Sequence, residues 1–506
     1  MPYRRYFLCF SVVMSAALLL TPASARAESV EGLSEFVQQA MKQYGVPGAA
    51  VVVVHDDKVV FLEGFGVRRH GSPQPVDQQT LFMMASVTKT FTAALVGTFV
   101  DEEKFGWDDH VIDHLPQFVL HDSYAARMVT PRDLLAHRSG LPAFTGDLLE
   151  ALGYDRDEIL RRIRYIEPQW SFREKAGYSN PGYLAAGMLA ARVGDATWDD
   201  LVRERLFKPL GMKSSGVSHR DWQSSTNFAA AHVVAPDGSL EVVPWDNHDP
   251  MGPAGSITSN AVDMAQWLRM QLNEGEVDGR RVLSAEAVRE MHKPAMVETP
   301  TFAELPPIDQ RSGFSYSMGW GVYHYNGFEI VEKGGARAGM RSVAVLVPEK
   351  RLGVAVFANR NLTVLPEAVR AFVLEHYLGR ASYDVQARIQ QADEQIQKMF
   401  AVEPQPKGAR PKASLPLAKY AGAYENELYG RFAIEHKAGK LSWRAGPAKY
   451  GAGVEHAGYD NFLLHFPKGR IALPEPVSFL IDDQGRPSKM ISETFGTFTR
   501  VASETE

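Results

Sequence analysis

The sequence predicts an α+β domain followed by a small all-β domain, and three observations lead to this prediction. A helical pattern and a β-hairpin open the chain, helices dominate its middle, and strands and a helix return before residue 380. Both ends of the first domain would therefore contribute strands to one sheet. A Pro-rich stretch then precedes short strands with turn signals, which are typical of a β-barrel or sandwich.

The first 27 residues have the pattern of a secretory signal peptide. Arg4 and Arg5 precede an apolar run that ends at Leu20, and a small-x-small cleavage pattern ends at Ala27. The run is shorter than the roughly 20 residues that a membrane-spanning helix needs. The sequence therefore predicts a periplasmic or secreted protein with no membrane span after the signal is removed.

Charge and cysteine content exclude several classes of protein. The net charge is −6 and no basic block is present, so nucleic acid is not an expected partner. The single cysteine, Cys9, lies within the predicted signal, so the mature chain would have neither a disulfide nor a thiolate site. We expect no cofactor and no metal, and a small-molecule or peptide substrate as the partner. The oligomeric state is open.

The first domain, residues 28–380, begins with a predicted helix over 31–44 and a hairpin over 48–62. Leu33, Val37 and Met41 repeat at helical spacing, whereas an unbroken valine run is typical of a buried strand. A loop-rich part covers 214–256. Further helices are predicted at 130–140, 156–165, 181–193, 198–206, 261–273 and 364–378. Further strands are predicted at 328–331, 342–347 and 352–357.

The remainder divides into a helix with a linker, residues 381–412, and a C-terminal domain, residues 413–506. Helical spacing covers 382–400, and linker composition covers 403–411. A unit of about 90 residues is large enough to fold as a separate β-barrel or sandwich. Its strands are predicted at 420–424, 430–435, 441–444, 462–466, 477–481 and 489–493.

A Ser-x-x-Lys pair lies at the predicted start of a helix. Ser86 and Lys89 stand three residues apart, and Phe91, Leu95 and Phe99 continue the helical spacing. Residues i and i+3 share a helix face, so the hydroxyl and the amine would point into the same space. This arrangement suits a serine nucleophile with a lysine base. The pair also arises often by chance, and it then marks only a solvated helix turn.

Two further segments carry polar groups suited to the same reaction. Tyr178 and Asn180 lie on a loop that enters a helix at Pro181, where the phenol would shuttle a proton and the amide would donate a hydrogen bond. Asn before Pro is also an ordinary N-cap. Lys333 precedes two glycines at the predicted end of a strand, where a substrate backbone could approach closely. A glycine turn with an exposed lysine is the structural alternative.

The three segments in this order resemble the serine β-lactamase and penicillin-binding-protein superfamily, in particular its class C β-lactamase-like members. The blocks 81–92, 134–142, 207–212 and 253–259 are similar to further stretches of that family, and the resemblance covers about 30–380. It implies the β-lactamase/transpeptidase fold, which is an antiparallel sheet with flanking helices and an all-helical subregion. The C-terminal domain is similar to the accessory β-domain of some D-aminopeptidase-like members.

The resemblance also implies a role for each site residue. Ser86 would be the acyl-accepting nucleophile, and burial would favour the neutral amine of Lys89 as its base. Tyr178 would relay the proton to the leaving group and later activate water, although the base of each half-reaction is open. The amides of Ser86 and Ala336 would form an oxyanion hole. The residues expected to position the substrate are Asn180, Lys333, Gly335, Ala336 and Arg337.

Two positions separate this chain from parts of the family. Lys333 stands where many peptidase and esterase relatives have histidine, and in this it resembles β-lactamases and penicillin-binding proteins. Gly334 replaces their usual threonine or serine, whose hydroxyl helps to hold a carboxylate of the substrate. Arg337 or Arg341 would take over that role.

The sequence thus predicts an exported serine hydrolase that cleaves amide or ester bonds through an acyl-enzyme on Ser86. A peptidase or esterase for small or D-residue-containing substrates is favoured, because Gly334 argues against efficient β-lactam hydrolysis. A class C-type β-lactamase and a non-catalytic penicillin-binding sensor or scaffold are the alternatives. The natural substrate and the role of the C-terminal domain are open.

Overall fold

The computed structural model describes residues 30–235, 238–298, 313–400, 410–467 and 473–502. The predicted signal peptide and most of the predicted linker lie outside these residues. Within them, no helix combines the length and the apolar character that a bilayer span requires.

An eight-stranded antiparallel sheet forms the centre of the first domain in the described part of the chain. Its strands, in spatial order, are Lys58–Gly66, Gly48–His55, Leu352–Ala358, Met340–Val347, Phe328–Arg337, Gly321–Tyr325, Phe314–Tyr316 and Met296–Glu298. The strand Gly48–His55 pairs with Leu352–Ala358, so the two ends of the domain meet inside one sheet. The predicted α+β fold class is confirmed.

Helices cover both faces of this sheet. Successive residues of the strand Gly48–His55 alternate between two hydrophobic cores, with Val52 in one and Val53 in the other. Burial on both faces explains the unbroken apolar run of this strand. Leu33–Gln43, Leu365–Leu378 and Val385–Phe400 cover one face. The other α-helices are Thr88–Asp101, Val111–His114, Ser123–Met128, Pro131–Leu135, Leu148–Ala151, Arg156–Arg162, Asn180–Val193, Trp198–Val202, Lys208–Leu210, His219–Gln223, Gly252–Gly255, Ala261–Leu272 and Ala285–His292.

The helix Thr88–Asp101, here called the central helix, is surrounded by other elements. Every residue from Leu81 to Phe99 is buried except Ser86, which is partly exposed. Threonine hydroxyls inside this helix are hydrogen-bonded, and Thr92 donates to the carbonyl oxygen of Pro253 at 2.7 Å. The interior therefore tolerates polar residues that have partners, and Ser86 alone in this segment opens to solvent.

Three segment predictions need correction. Residues 214–256, predicted as loop-rich, contain a hairpin of Ala231–Val234 and Leu240–Val243 and two short helices. The helix predicted at 130–140 begins with the expected Thr130 cap but ends at Leu135. The strand predicted at 328–331 continues to Arg337, because pairing with the strand Met340–Val347 holds its glycines in extended backbone.

The C-terminal domain is a closed barrel. Two strands, Gly453–Gly458 and Gly496–Val501, were not predicted, and the second closes the barrel against Gly422–Asn426. The remaining strands are Gly430–Lys437, Lys440–Ala445, Asn461–Leu464, Glu475–Ile481 and Pro487–Ser492. Aromatic rings fill the interior, including the fully buried Trp443 and Phe462.

The barrel is docked on the first domain beside residues 146–162. Arg162 donates to the carbonyl oxygens of Glu427 and Leu428, both at 2.9 Å. The hydroxyl of Tyr154 donates to the carbonyl oxygen of Tyr429 at 3.2 Å. The hairpin loop that contains Glu427 to Tyr429 is thereby fixed against the first domain.

Candidate active site

Ser86 lies in a tight turn, Ala85–Val87, directly before the central helix. Ala85 has a φ of 47°, a left-handed conformation that is uncommon for a residue with a side chain. The carbonyl of Met84 accepts a hydrogen bond from the buried hydroxyl of Ser342 at 2.7 Å. These constraints fix the direction in which the Ser86 side chain leaves the turn.

Gly335 packs directly against this turn. A Cβ added at Gly335 would clash with the Met84 carbonyl oxygen and lie 3.2 Å from the Ser86 nitrogen. A glycine is therefore needed for the strand to approach the serine, rather than for substrate approach alone as the sequence predicted. Pairing with the strand Gly321–Tyr325 stops at Glu332, so residues 333–337 extend beyond that neighbour.

Lys89 lies one helical turn from Ser86 and is fully buried. Its Nζ is 3.2 Å from Ser86 Oγ, 2.7 Å from Asn180 Oδ1 and 2.8 Å from the carbonyl oxygen of Ala254. The amine is therefore held beside the serine hydroxyl by oxygen atoms from two other segments.

Tyr178 approaches the serine from the other side. Its hydroxyl lies 2.9 Å from Ser86 Oγ, and its ring is 4.9 Å from Lys89 Nζ and 4.8 Å from the Nζ of the buried Lys333. A protonated amine on either lysine would stabilise a negative charge on the phenol oxygen. The predicted alternative for Lys333, an exposed lysine in a glycine turn, is wrong.

Asn180 is placed differently from the predicted N-cap. The cap of the helix Asn180–Val193 is Ser179, whose hydroxyl accepts from the Gly182 N–H at 3.0 Å. This leaves the Asn180 amide free to bridge Lys89 and Asp147, and its Nδ2 donates to Asp147 Oδ2 at 2.8 Å. Asp147 thus orients the amide, and no sequence motif indicated this residue.

His137 packs against Tyr178 and binds the backbone of the next residue. Its Nδ1 accepts the Ser179 N–H at 3.0 Å, and its ring lies 4.4 Å from the Tyr178 ring and 4.5 Å from the Tyr316 ring. Burial and the nearby charges of Lys89 and Lys333 keep the pKa of His137 well below its usual value, so the imidazole is neutral. His137 belongs to a block noted in the sequence, but nothing there indicated its position under Tyr178.

Gly177 offers a test of how strictly Tyr178 must be placed. Its N–H donates to the His137 carbonyl at 2.8 Å, and an added Cβ would clash with the Leu141 carbonyl oxygen. We expect Gly177→Ala to shift Tyr178 and to lower kcat/KM by about 10²-fold, the scale reported for displacements near 1 Å. The matched control is Gly453→Ala, where an added Cβ meets nothing. Equal kinetics for both variants would show that Tyr178 needs no exact position.

Arg337 and Arg341, the predicted carboxylate ligands, are both paired within the chain. Arg337 donates to Glu150 at 2.8 Å and lies 3.7 Å from Asp246. Arg341 is 2% exposed and paired with Glu367 on the helix behind the sheet, which removes it from the site. The role of Arg337 in substrate binding stays a prediction.

The structure therefore brings Ser86, Lys89, Tyr178, Asn180 and Lys333 into one connected site beside a sheet edge. Among the described residues, no group of three or more His, Cys, Asp or Glu side chains is arranged to hold a metal ion. The groups present can carry out nucleophilic attack by a serine, with an amine and a phenol within reach of its proton.

This fold and this site define a serine hydrolase of the type that includes β-lactamases and penicillin-binding proteins. Comparison with protein families agrees, since residues 33–378 match the Beta-lactamase family model, and the chain belongs to that family. Residues 406–502 match a domain of unknown function, DUF3471.

Two curated relatives match this chain over most of their own length. The unguisins hydrolase of Aspergillus violaceofuscus is 25% identical over 89% of this chain and 85% of its own. Penicillin-binding protein 4 of Amycolatopsis lactamdurans is 29% identical over 63% of this chain and 82% of its own.

Two solved structures share the fold. The octameric penicillin-binding protein homologue from Pyrococcus abyssi has a TM-score of 0.57 and 21% identity, over 93% of this chain and 100% of its own. A D-stereospecific amidohydrolase from Streptomyces sp. has a TM-score of 0.55 and 23% identity, over 69% of this chain and 99% of its own. At these identities the likeness establishes the fold alone.

Proposed function

We propose that this protein is an exported serine hydrolase that cleaves amide or ester bonds of compact, D-residue-containing substrates through an acyl-enzyme on Ser86. The observation that carries the proposal is that Ser86 Oγ lies 3.2 Å from Lys89 Nζ and 2.9 Å from the Tyr178 hydroxyl. A partly exposed hydroxyl between a buried amine and a phenol is equipped for activation as a nucleophile.

The first half-reaction follows from these distances. Ser86 Oγ attacks the carbonyl carbon of the substrate, and its proton passes to Lys89. The backbone N–H groups of Ser86 and Ala336 would stabilise the resulting oxyanion, where one such donor is worth roughly 3–4 kcal/mol. Tyr178 then gives a proton to the leaving amine or alkoxide, which departs and leaves Ser86 acylated.

The second half-reaction hydrolyses the ester on Ser86. The Tyr178 phenolate, stabilised by Lys89 and Lys333, takes a proton from water, and the hydroxide attacks the acyl carbon. Collapse of the second oxyanion releases the acid, and Lys89 returns its proton to Ser86. Asn180, which is held by Lys89 and Asp147, would bind the amide group of the substrate.

The name of one protein with the same fold, the D-stereospecific amidohydrolase, supports the preference for D-residues. The name of the unguisins hydrolase supports hydrolysis as the reaction. Gly334 removes a hydroxyl that β-lactamases use, which favours a peptidase or esterase over a β-lactamase.

The test is a panel of D- and L-aminoacyl p-nitroanilides, matching esters and a chromogenic cephalosporin, each with the Ser86→Ala variant as control. We expect a D-substrate to be cleaved most rapidly and all turnover to disappear in Ser86→Ala. Turnover retained by Ser86→Ala would overturn the acyl-enzyme, and preferred cephalosporin cleavage would establish a β-lactamase. A stable penicillin adduct without any turnover would establish a sensor.

A further inference from the structure

A large cavity lies between the first domain and the barrel, and it adjoins the candidate active site. Its volume is about 1130 Å³, and both domains line it, through residues within 142–148 and 165–170 on one side and within 425–429 and 493–499 on the other. The Phe144 ring on its wall is 5.3 Å from the Tyr178 ring. Asp147 on the same wall holds Asn180. Two residues of the cavity wall, Phe144 and Asp147, therefore contact Tyr178 and Asn180 of the candidate active site.

The charge of the lining has one sign. Its charged residues are Asp147, Glu167, Glu425, Glu427 and Glu493, and its described lining includes no lysine, arginine or histidine. The four glutamates are exposed, and none of them forms an ion pair with another described residue. A cleft lined by charges of one sign concentrates ligands of the opposite sign and speeds their association by about 10- to 10³-fold.

Two described arginines lie next to this wall but are not among the residues that line the cavity. Arg162 is bound to Glu158 and to two backbone carbonyls of the barrel loop, and its guanidinium lies over the Tyr154 ring at 4.1 Å. Arg431 stands opposite Glu425 on the next strand but does not line the cavity.

Aromatic side chains make up much of the remaining wall. Cations bind favourably over aromatic faces, and carboxylates beside such faces add a direct charge interaction. The aromatic residues of the lining are Phe144, Tyr165, Trp170, Tyr429, Phe466 and Phe495. The combination of aromatic faces and carboxylates is suited to a cation attached to an organic chain.

Hydrogen bonds to the first domain hold the barrel's part of this wall in place near the candidate active site. The Gly146 N–H donates to the Tyr429 hydroxyl at 3.2 Å, and Asp147, the next residue, contacts Asn180. The Ala448 N–H donates to the Leu152 carbonyl at 2.9 Å. The carboxylates of Glu425, at the end of a strand, and Glu427, in the following hairpin loop, are therefore carried by backbone that is hydrogen-bonded to the first domain.

We infer that the substrate carries a cationic group, a primary ammonium or a guanidinium, that extends from the bond attacked by Ser86 into this interdomain cavity. The inference rests on the proposed function and adds to it a substrate class, namely basic D-residue-containing amides or esters. The barrel is then part of the substrate-binding site, because Glu425, Glu427 and Glu493 all belong to it.

The test uses two substrates, one with and one without a positive charge. The first is a D-alanyl peptide with a lysine two residues from the D-alanine, and the second is the same peptide with that lysine N-acetylated. Binding of each to Ser86→Ala protein is measured by calorimetry at low and at high salt. We expect the charged peptide to bind about tenfold more tightly at low salt, and the difference to shrink at high salt.

A triple variant locates the effect. Glu425→Gln, Glu427→Gln and Glu493→Gln together should remove the preference, whereas a control with Glu286→Gln, Glu435→Gln and Asp483→Asn, exposed acids that do not line the cavity, should keep it. Equal binding of the two peptides, or a preference that survives the triple variant, would overturn the inference. Turnover by the wild type is scored separately, so a binding preference without turnover would overturn the proposed function alone.

Discussion

Replacing Lys89 by methionine is expected to lower kcat/KM by roughly 10²- to 10⁴-fold, the range typical of a lost general base. Nζ of Lys89 is 3.2 Å from the nucleophile and also anchors Asn180 at 2.7 Å, so the variant loses the proton acceptor and loosens a substrate-binding group. Methionine is an unbranched apolar side chain of similar length, which suits a fully buried position.

The control for this prediction is Lys104→Met, which removes an exposed lysine just beyond the central helix. Both variants are assayed with the substrate that emerges from the panel, and their folding is compared by thermal unfolding. Wild-type kinetics in a folded Lys89→Met protein would exclude Lys89 as the base and would leave Tyr178 as the group that accepts the serine proton.

A second large effect is expected for the stability of the fold. Glu332 is next to Lys333 in sequence, and its carboxylate is buried between the sheet and the helix Leu365–Leu378. It pairs with Arg370 and accepts a hydrogen bond from the Tyr323 hydroxyl at 2.7 Å. Burial raises the pKa of Glu332 to about 7 although Arg370 acts against the shift. We expect Arg370→Met to lower the free energy of unfolding by about 3–5 kcal/mol, because it leaves a buried carboxyl without its cation.

The matched control is the double variant Glu332→Gln with Arg370→Met, which removes the uncompensated acid and keeps a hydrogen-bond partner for Tyr323. Chemical denaturation should find the double variant more stable than Arg370→Met alone. If the two are equally unstable, the loss comes from packing of the Arg370 side chain and not from the unpaired charge.

The residues that could be predicted are those whose spacing follows a fixed local geometry. Ser86 and Lys89 stand at i and i+3, and this spacing brings them to one side because the turn Ala85–Val87 runs directly into the central helix. The central helix also has an apolar sequence that predicted a buried element. The order of the three segments then linked Tyr178 and Lys333 to Ser86 through the resemblance to a family, and not through any local pattern.

The contacts that could not be predicted join segments far apart in the chain. Asp147 meets Asn180, and the Ala254 carbonyl meets Lys89, and neither sits in a periodic pattern that would single it out. His137 lies beneath Tyr178 because its left-handed backbone, with a φ of 57°, turns the chain back toward the tyrosine loop. The residue type alone does not predict this left-handed turn.

The misplaced end of the strand Phe328–Arg337 has a similar cause. The strand was predicted to end at 331, a few residues before two glycines, and glycines weaken the interior of a strand. Here Gly335 is required by the close approach of the Ser86 turn, and pairing with the strand Met340–Val347 keeps the backbone extended. The tertiary contact thus overrides the local preference.

The most direct test of the account is the site and rate of labelling by a fluorophosphonate, followed by intact-mass spectrometry and peptide mapping. We predict one adduct per chain, on the peptide that contains Ser86, formed much more slowly in Lys89→Met and absent in Ser86→Ala. An adduct on another residue, or equal labelling of Ser86→Ala, would contradict the assignment of Ser86 as the nucleophile.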